Sequence, residues 1–468
     1  MKLGLMSLGC DKNTVDSERI LAALGAYGAH HVRDLTEAEV IVVNTCGFID
    51  AAKEESIGVL LDVSRLKHEG KCRAVVALGC LGEQYRDELE SSLPEIDLFI
   101  GLRDVDRLIP ELRDRGLLGP RLEDHLGVRQ PIAERRHVRY LKVSEGCDHG
   151  CAFCAIPMWR GKHRSFSADA LLAEAQRLEA QGAVELNLVA QDLALYGREC
   201  DDGKDLVSLL CRLLDEMSIP WFRLLYIYSA GLRESLVELI ATEERILPYI
   251  DMPIQHASDP VLKRMRRPER RDRLYARIEG LRSDIPDLTL RTTVMVGFPG
   301  ETADEFRSLL DFMEDVEFDR LGAFAFSPQE NTRAADMQDL FVPEDVAASR
   351  LEEVIEVQQA ISADLMGREV GRTCEAIIER PEDGRIVGRT RAQADDVDGI
   401  TCLGPASDML PASTLVEIEI TGAGDFDLEG KILREIRSVA AADGLTVPGH
   451  VGRALPVAMI GLDGGWGR

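Results

Sequence analysis

Tyr140-Leu141-Lys142-Val143 leads into Ser144-Glu145-Gly146-Cys147-Asp148-His149-Gly150-Cys151-Ala152-Phe153-Cys154, and this stretch decides how the chain is read. Its apolar, aromatic start predicts a strand. The strand runs into Cys147-x3-Cys151-x2-Cys154 on one short loop. Three thiolates so placed can hold three irons of a cubane cluster and leave the fourth iron open to a ligand. A loop at the C-terminal end of a barrel strand lies where the active sites of α/β barrels sit. A structural zinc, with His149 or His163 as fourth ligand, is the competing reading of the same residues.

Downstream of this loop the α/β pattern continues. Apolar runs at 140–143, 186–189, 221–226, 250–253, 292–296 and 323–326 are separated by helical stretches. One of these is 169–182, whose apolar positions Leu171, Leu172, Ala175 and Leu178 share a face and whose last residue is Gly182. Six such runs predict a barrel or partial barrel. A last helix is expected at 352–366. From 371 to 436 the period shortens to alternation, as in Leu415-Val416-Glu417-Ile418-Glu419-Ile420, which predicts a small β-barrel-like domain. Upstream, strands at 3–8, 40–44 and 74–78 alternate with helices at 15–28 and 50–67, the pattern of a parallel α/β sheet. The expected organisation is an N-terminal domain at 1–120, a linker at 121–135, the barrel at 136–366, the terminal domain at 367–437 and a poorly ordered tail at 438–468.

A second set of thiols is scattered along the sequence. Cys10, Cys46 and Cys80 follow the first three strand-like runs at spacings of 36 and 34 residues, each the length of one βα unit. In a parallel sheet three such strand ends share one edge, where ligands gather. A second three-thiolate cluster is the reading that accounts for all three; small buried residues at strand ends is the alternative. Cys72, Cys200, Cys211, Cys374 and Cys402 are expected only to pack.

Composition bounds the partners. Among 468 residues, 55 Lys and Arg face 82 Asp and Glu, giving −27 and a pI near 4.8. Such a field repels polyanions, so tRNA is disfavoured and a basic partner favoured. Aromatics are 5%, which leaves few platforms for base stacking. No run approaches the roughly 18 apolar residues of a membrane span. Met1 to Met6 is too short for a signal peptide. A cytoplasmic monomer is therefore expected, with its eleven cysteines reduced.

Taken together, Leu8-Gly9-Cys10-x2-Asn13, Asn44-Thr45-Cys46, Gly79-Cys80 and the C-x3-C-x2-C loop resemble the methylthiotransferase family of radical S-adenosylmethionine enzymes. Ile156-Pro157 with Arg160-Gly161, Gln191-Asp192, Pro253-Ile254-Gln255-His256 and Gly297-Phe298-Pro299-Gly300-Glu301-Thr302 match in the same order. The resemblance covers residues 1 to about 437. It implies two 4Fe-4S clusters, with Cys147, Cys151 and Cys154 holding the one that binds and cleaves S-adenosylmethionine. Cys10, Cys46 and Cys80 would hold an auxiliary cluster carrying the sulfur to be donated. Phe153 would lie beside the first cluster and the adenine, and Gln191, Gln255 and His256 are candidates to contact the methionine moiety. The family layout is an α/β cluster domain, an open six-stranded radical barrel and a β-rich TRAM domain. An electron donor such as flavodoxin or ferredoxin is implied as a partner.

Two substrates divide the family. Arg291-Thr292-Thr293 resembles the RimO branch, which adds a methylthio group to the β-carbon of an aspartate in small-subunit ribosomal protein S-twelve. Gly388-Arg389, Asp395-x2-Asp398-Gly399 and Asp425-Phe426-Asp427-Leu428-x-Gly430 are similar to its acidic TRAM domain. Ser167, where Pro is frequent, and Glu429, where Trp is frequent, depart from the pattern. Residues 367–437 hold nine Lys or Arg and fifteen Asp or Glu, a net of −6. Asp395, Asp398, Asp425 and Asp427 are expected on surface turns, facing a basic protein. The alternatives are methylthiolation of an adenosine in tRNA and, farther off, a non-catalytic iron–sulfur or zinc protein.

Overall fold

The computed structural model describes residues 1–122, 129, 131–132, 136–200, 203–408 and 410–437. Most of the expected linker and all of the expected tail lie outside these residues. The described chain divides into two compact units: Met1–Phe222 with Ser327–Asp336, and Arg223–Phe326 with the residues from Met337 onward.

The N-terminal sheet comprises β1 (Lys2–Ser7), β2 (His30–His31), β3 (Val40–Thr45), β4 (Ala74–Gly79) and β5 (Leu98–Gly101). Its order is β2-β1-β3-β4-β5, and every pairing is parallel. Alternate residues of the strands feed two apolar clusters. Val40, Val42, Val76 and Leu78 pack on one face with Ile20 and Leu24 of helix α1 (Asp11–Gly25). Ile41, Val43, Val75 and Ala77 pack on the other with Leu60 and Val63 of helix α2 (Asp50–Glu69). Each such aliphatic side chain contributes about 1.5–3 kcal/mol on burial, which is why these strands read as unbroken apolar runs. Two of the five strands carry little sequence signal. β2 is two exposed histidines, and β5 is only four residues long.

The second sheet contains β6 (Val138–Lys142), β9 (Glu185–Val189), β10 (Trp221–Leu224), β11 (Ile246–Asp251), β12 (Thr289–Val296) and β13 (Arg320–Ala325), in the order β13-β12-β11-β10-β9-β6. Between β6 and β9, β7 (Ser144–Glu145) and β8 (Arg164–Ser165) form an antiparallel ribbon that brackets the Cys147 loop. The six expected strands are present. However, β11 begins four residues before the expected 250, and β12 and β13 each begin three residues early. The early segments of β12 and β13 carry Arg291 and Arg320, charges that hide a strand from an apolar count. Both are buried ion-pair partners rather than surface residues.

A helix at Glu344–Glu369, longer than the expected 352–366, leads into the terminal domain. There β14 (Thr373–Glu382), β15 (Arg385–Thr390), β16 (Thr401–Pro405), β17 (Leu415–Ala423) and β18 (Leu428–Arg437) close into a barrel in the order β14-β15-β16-β18-β17. Its loop at 391–398 is fastened within the second unit. Tyr249 Oη donates to Asp398 Oδ2 at 2.8 Å, and Arg291 and Arg320 stand 4.0 and 3.9 Å from Asp398 Oδ1. Arg223 donates to the carbonyls of Arg391 and Gln393 at 3.0 and 3.1 Å. This overturns part of the expected acidic surface. The Asp398 side chain is buried in that network, and Asp395 is buried 3.9 Å from Arg389. Only Asp425 and Asp427 are exposed.

Candidate metal centres

Cys10, Cys46 and Cys80 stand at the C-terminal ends of β1, β3 and β4, which are neighbours in the sheet. Thr45 pairs with Gly79 in the parallel register, so Cys46 and Cys80 leave their strands at one height. Two glycines allow the close approach at these strand ends. Gly79 has φ +113°, and a Cβ there would stand 2.4 Å from the Thr45 carbonyl oxygen. Gly9 has φ +85°, and its Cβ would lie 2.9 Å from Cys46 Sγ. Asn13, one turn into α1, ties two of the strand ends together by donating to the carbonyls of Leu8 and Thr45 at 2.8 and 3.2 Å. Ser56 of α2 accepts from the Cys46 N–H at 3.0 Å and donates to its carbonyl at 2.8 Å.

The electrostatics of these thiols are mutual. Burial pushes Cys46 up to about 12, and the neighbouring Cys80 and Cys10 thiols add to the rise. Burial likewise raises Cys80 to about 11 against the opposing pull of Arg160. Three thiolates this close need a cation among them to ionise together.

The second set sits on the loop after β7. Gly146 precedes it at φ +77°, and the Cys147 N–H donates to the Gly161 carbonyl at 3.2 Å. The His149 N–H reaches Cys147 Sγ at 3.4 Å, and the Cys154 N–H reaches the Cys151 carbonyl at 3.3 Å. Burial raises Cys147 to about 11, with the His149 N–H opposing it. His149 Nε2 lies 2.7 Å from Asp192 Oδ2, and His163 Nε2 faces Ser165 Oγ at 3.2 Å and Glu199 at 3.4 Å. Among the described residues no three His, Cys, Asp or Glu side chains converge as ligands of a single ion would. In a cubane each thiolate holds a different iron. The donor set of each triad, three thiols, is the one such a group takes.

The two triads lie in one compact unit, and Trp159 and Arg160, which follow the Cys147 loop in sequence, reach the strand-end set at Cys80. Trp159 packs with Cys80 and Ala155 in a small core, its ring 6.4 Å from that of Phe48. Arg160 donates to Asn13 Oδ1 at 2.7 Å, Asp16 Oδ2 at 3.1 Å and Glu145 Oε1 at 2.9 Å, and stands 4.0 Å from Cys80 Sγ. Lys142 of β6 also pairs with Asp16 and with Glu145. Burial opposes ionisation of Glu145, but Lys142 and Arg160 outweigh it and hold the carboxyl down at about 2.

Of the other sequence candidates, half-buried Phe153 lies on the cysteine loop itself. Gln191 Nε2 donates to Glu145 Oε1 at 3.2 Å, and its Oε1 has no partner. Gln255 and His256 belong to the other unit. Gln255 bridges to Val294 at φ +68°. His256 is wholly buried, accepts from the Ser258 N–H at 2.9 Å through Nδ1 and leaves Nε2 unpartnered. Asp16, Lys142 and Glu145 have no role assigned from the sequence, and Arg160 and Asn13 enter it only as motif letters. The signal available was position: Asn13 and Asp16 lie one and two turns after Cys10, and Glu145 two residues before Cys147. Of the five remaining cysteines, Cys200 and Cys211 are exposed rather than packed.

Three family descriptions match this chain: "Uncharacterized protein family UPF0004" over residues 2–101, the radical SAM superfamily over 141–313 and the TRAM domain over 370–433. A protein of Desulforudis audaxviator named ribosomal protein uS12 methylthiotransferase RimO is 43% identical over 443 residues, spanning 92% of this chain and 97% of that one. Its namesake in Anaeromyxobacter sp. (strain K) is 42% identical over 467 residues, 98% of each. The chain belongs to the RimO methylthiotransferase family. Membership in the radical SAM superfamily brings with it a 4Fe-4S cluster and S-adenosylmethionine. Among solved structures, the radical S-adenosylmethionine methyltransferase TsrM from Kitasatospora setae aligns with a TM-score of 0.50 at 12% identity, covering 69% of this chain and 72% of that one, a likeness of fold alone. Among the described residues no helix is long and apolar enough to cross a membrane.

Proposed function

We propose that this chain is a radical S-adenosylmethionine enzyme that adds a methylthio group to the β-carbon of an aspartate in ribosomal protein uS12. The observation that carries the reading is the pair of cysteine triads in one compact unit, with Trp159 and Arg160, just after the Cys147 loop, reaching Cys80. Cys147, Cys151 and Cys154 hold the cluster that binds S-adenosylmethionine, and Cys10, Cys46 and Cys80 hold a second 4Fe-4S cluster. When bound, these groups supply the electron and the sulfur for substitution at an unactivated C–H bond, which no side-chain base could deprotonate. The chain's own residues ligate, orient and exclude water. Phe153 lines the adenine, and Gln191, whose Oε1 has no partner, contacts the methionine moiety. A flavodoxin- or ferredoxin-like protein is the electron donor. The acidic terminal domain favours a basic ribosomal protein over tRNA.

The test uses two triple variants. Cys147, Cys151 and Cys154 all changed to Ala should halve the iron taken up anaerobically and abolish deoxyadenosine formation. The matching Cys10, Cys46 and Cys80 variant should also lose half the iron while still cleaving S-adenosylmethionine. Mass spectrometry of uS12 and tRNA from cells lacking the protein then fixes the substrate. A mass deficit on tRNA alone would overturn the choice of uS12, and zinc without iron at either site would overturn the chemistry.

A further inference from the structure

Arg160 is buried, its side chain 2% exposed, and it reaches both Cys80 and Glu145, the latter two residues before Cys147. It follows the short helix Ile156–Trp159, which packs through Trp159 against Cys80. One edge of its guanidinium meets Asn13 and Cys80 at the strand ends; the other meets Glu145, two residues before Cys147. Without a cluster the local charges balance, Arg160 and Lys142 against Asp16 and Glu145. Three thiolates on a cubane bring net negative charge to this spot. In a site this dry a fixed cation 4.0 Å from a ligating sulfur acts with little screening.

We propose that Arg160 is the counter-charge of the auxiliary cluster and the positioning residue that holds it in register with the Cys147 loop. The proposal rests on the assignment of Cys10, Cys46 and Cys80 as a cluster site. A nearby cation favours the reduced, more negative form of a cluster and raises its potential; a nearby carboxylate does the reverse. Asp16 supplies the built-in opposite, because it pairs with the same guanidinium at 3.1 Å. Arg160 is the fork-shaped donor that can satisfy Asn13, Asp16 and Glu145 together, which a lysine ammonium cannot do in one geometry.

The experiment is a redox titration followed by electron paramagnetic resonance. It is done on the full chain reconstituted with iron and sulfide, in a background where Cys147, Cys151 and Cys154 are Ala so that only the auxiliary site reports. Arg160→Gln should shift the midpoint to lower potential and Asp16→Asn should shift it to higher potential. Arg160→Lys should fall between wild type and Arg160→Gln. A structural role alone would not produce shifts of opposite sign. If Arg160→Gln fails to fold, Asp16→Asn carries the test, and an unchanged or lowered midpoint there overturns the proposal. Unchanged midpoints in a folded, fully loaded Arg160→Gln protein overturn it as well. A background protein that takes up no iron overturns the cluster assignment itself, and the proposal with it.

Discussion

Gly79 holds φ +113° one residue before Cys80, and any side chain there would strike the Thr45 backbone. Gly79→Ala should therefore cost about 3 kcal/mol in denaturant unfolding, because both strain and overlap arise in a rigid strand end. The same variant should lose iron from the Cys10, Cys46 and Cys80 site while the Cys147 loop keeps its own, as iron analysis would show. His256 makes a second residue-level prediction. Burial holds it neutral down to about 3, against 6.5 for a free imidazole. Below pH 6.5 the unfolded chain binds the proton first, so stability falls with pH until the native imidazole also titrates near 3. Unfolding free energies of the metal-free chain from urea melts should fall across that window, by at most about 1.4 kcal/mol per pH unit from this group. His256→Asn should be less stable near neutrality but lose less on acidification. Equal pH slopes for the two proteins would contradict the burial argument.

At the level of elements, what could be read from the sequence depended on which way each strand turns its polar residues. β3 is Val40-Ile41-Val42-Val43-Asn44-Thr45, buried on both faces, and an apolar count finds it at once. The early parts of β12 and β13 were missed because Arg291 and Arg320 look like surface residues until Asp251 and Asp398 are placed beside them. The cysteines were legible for a related reason. A thiol at three successive strand ends is a pattern in one dimension, whereas the Arg160, Asp16 and Glu145 cluster comes from three separate segments and exists only in three. The Asp398 fastening also has a measurable weight. Asp398→Ala would leave Arg320 buried without its carboxylate and should cost about 3–5 kcal/mol in unfolding free energy. It should also expose the 391–398 loop to trypsin.

For the whole molecule, −27 sets the long-range field, but the terminal domain's share of it is smaller at the surface than its sequence implies. With Asp395 and Asp398 turned inward, Asp425 and Asp427 remain to meet a basic partner. Changing those two to Lys should slow association with uS12 and flatten its salt dependence, leaving iron content and S-adenosylmethionine cleavage intact. Stopped-flow binding across a salt series checks this, and unchanged association rates would remove the domain from docking. The contact of Trp159 with Cys80 carries one more consequence, of an optical kind. The chain has only three tryptophans, and this one is buried against an auxiliary-site cysteine, its ring edge-on to Phe48. Iron–sulfur clusters absorb broadly where indole emits, so filling of the auxiliary site should darken Trp159 by energy transfer. If Cys10, Cys46 and Cys80 hold a cluster as proposed, Trp159 emission would follow its assembly. Trp159→Phe should abolish that part of the signal without changing iron content.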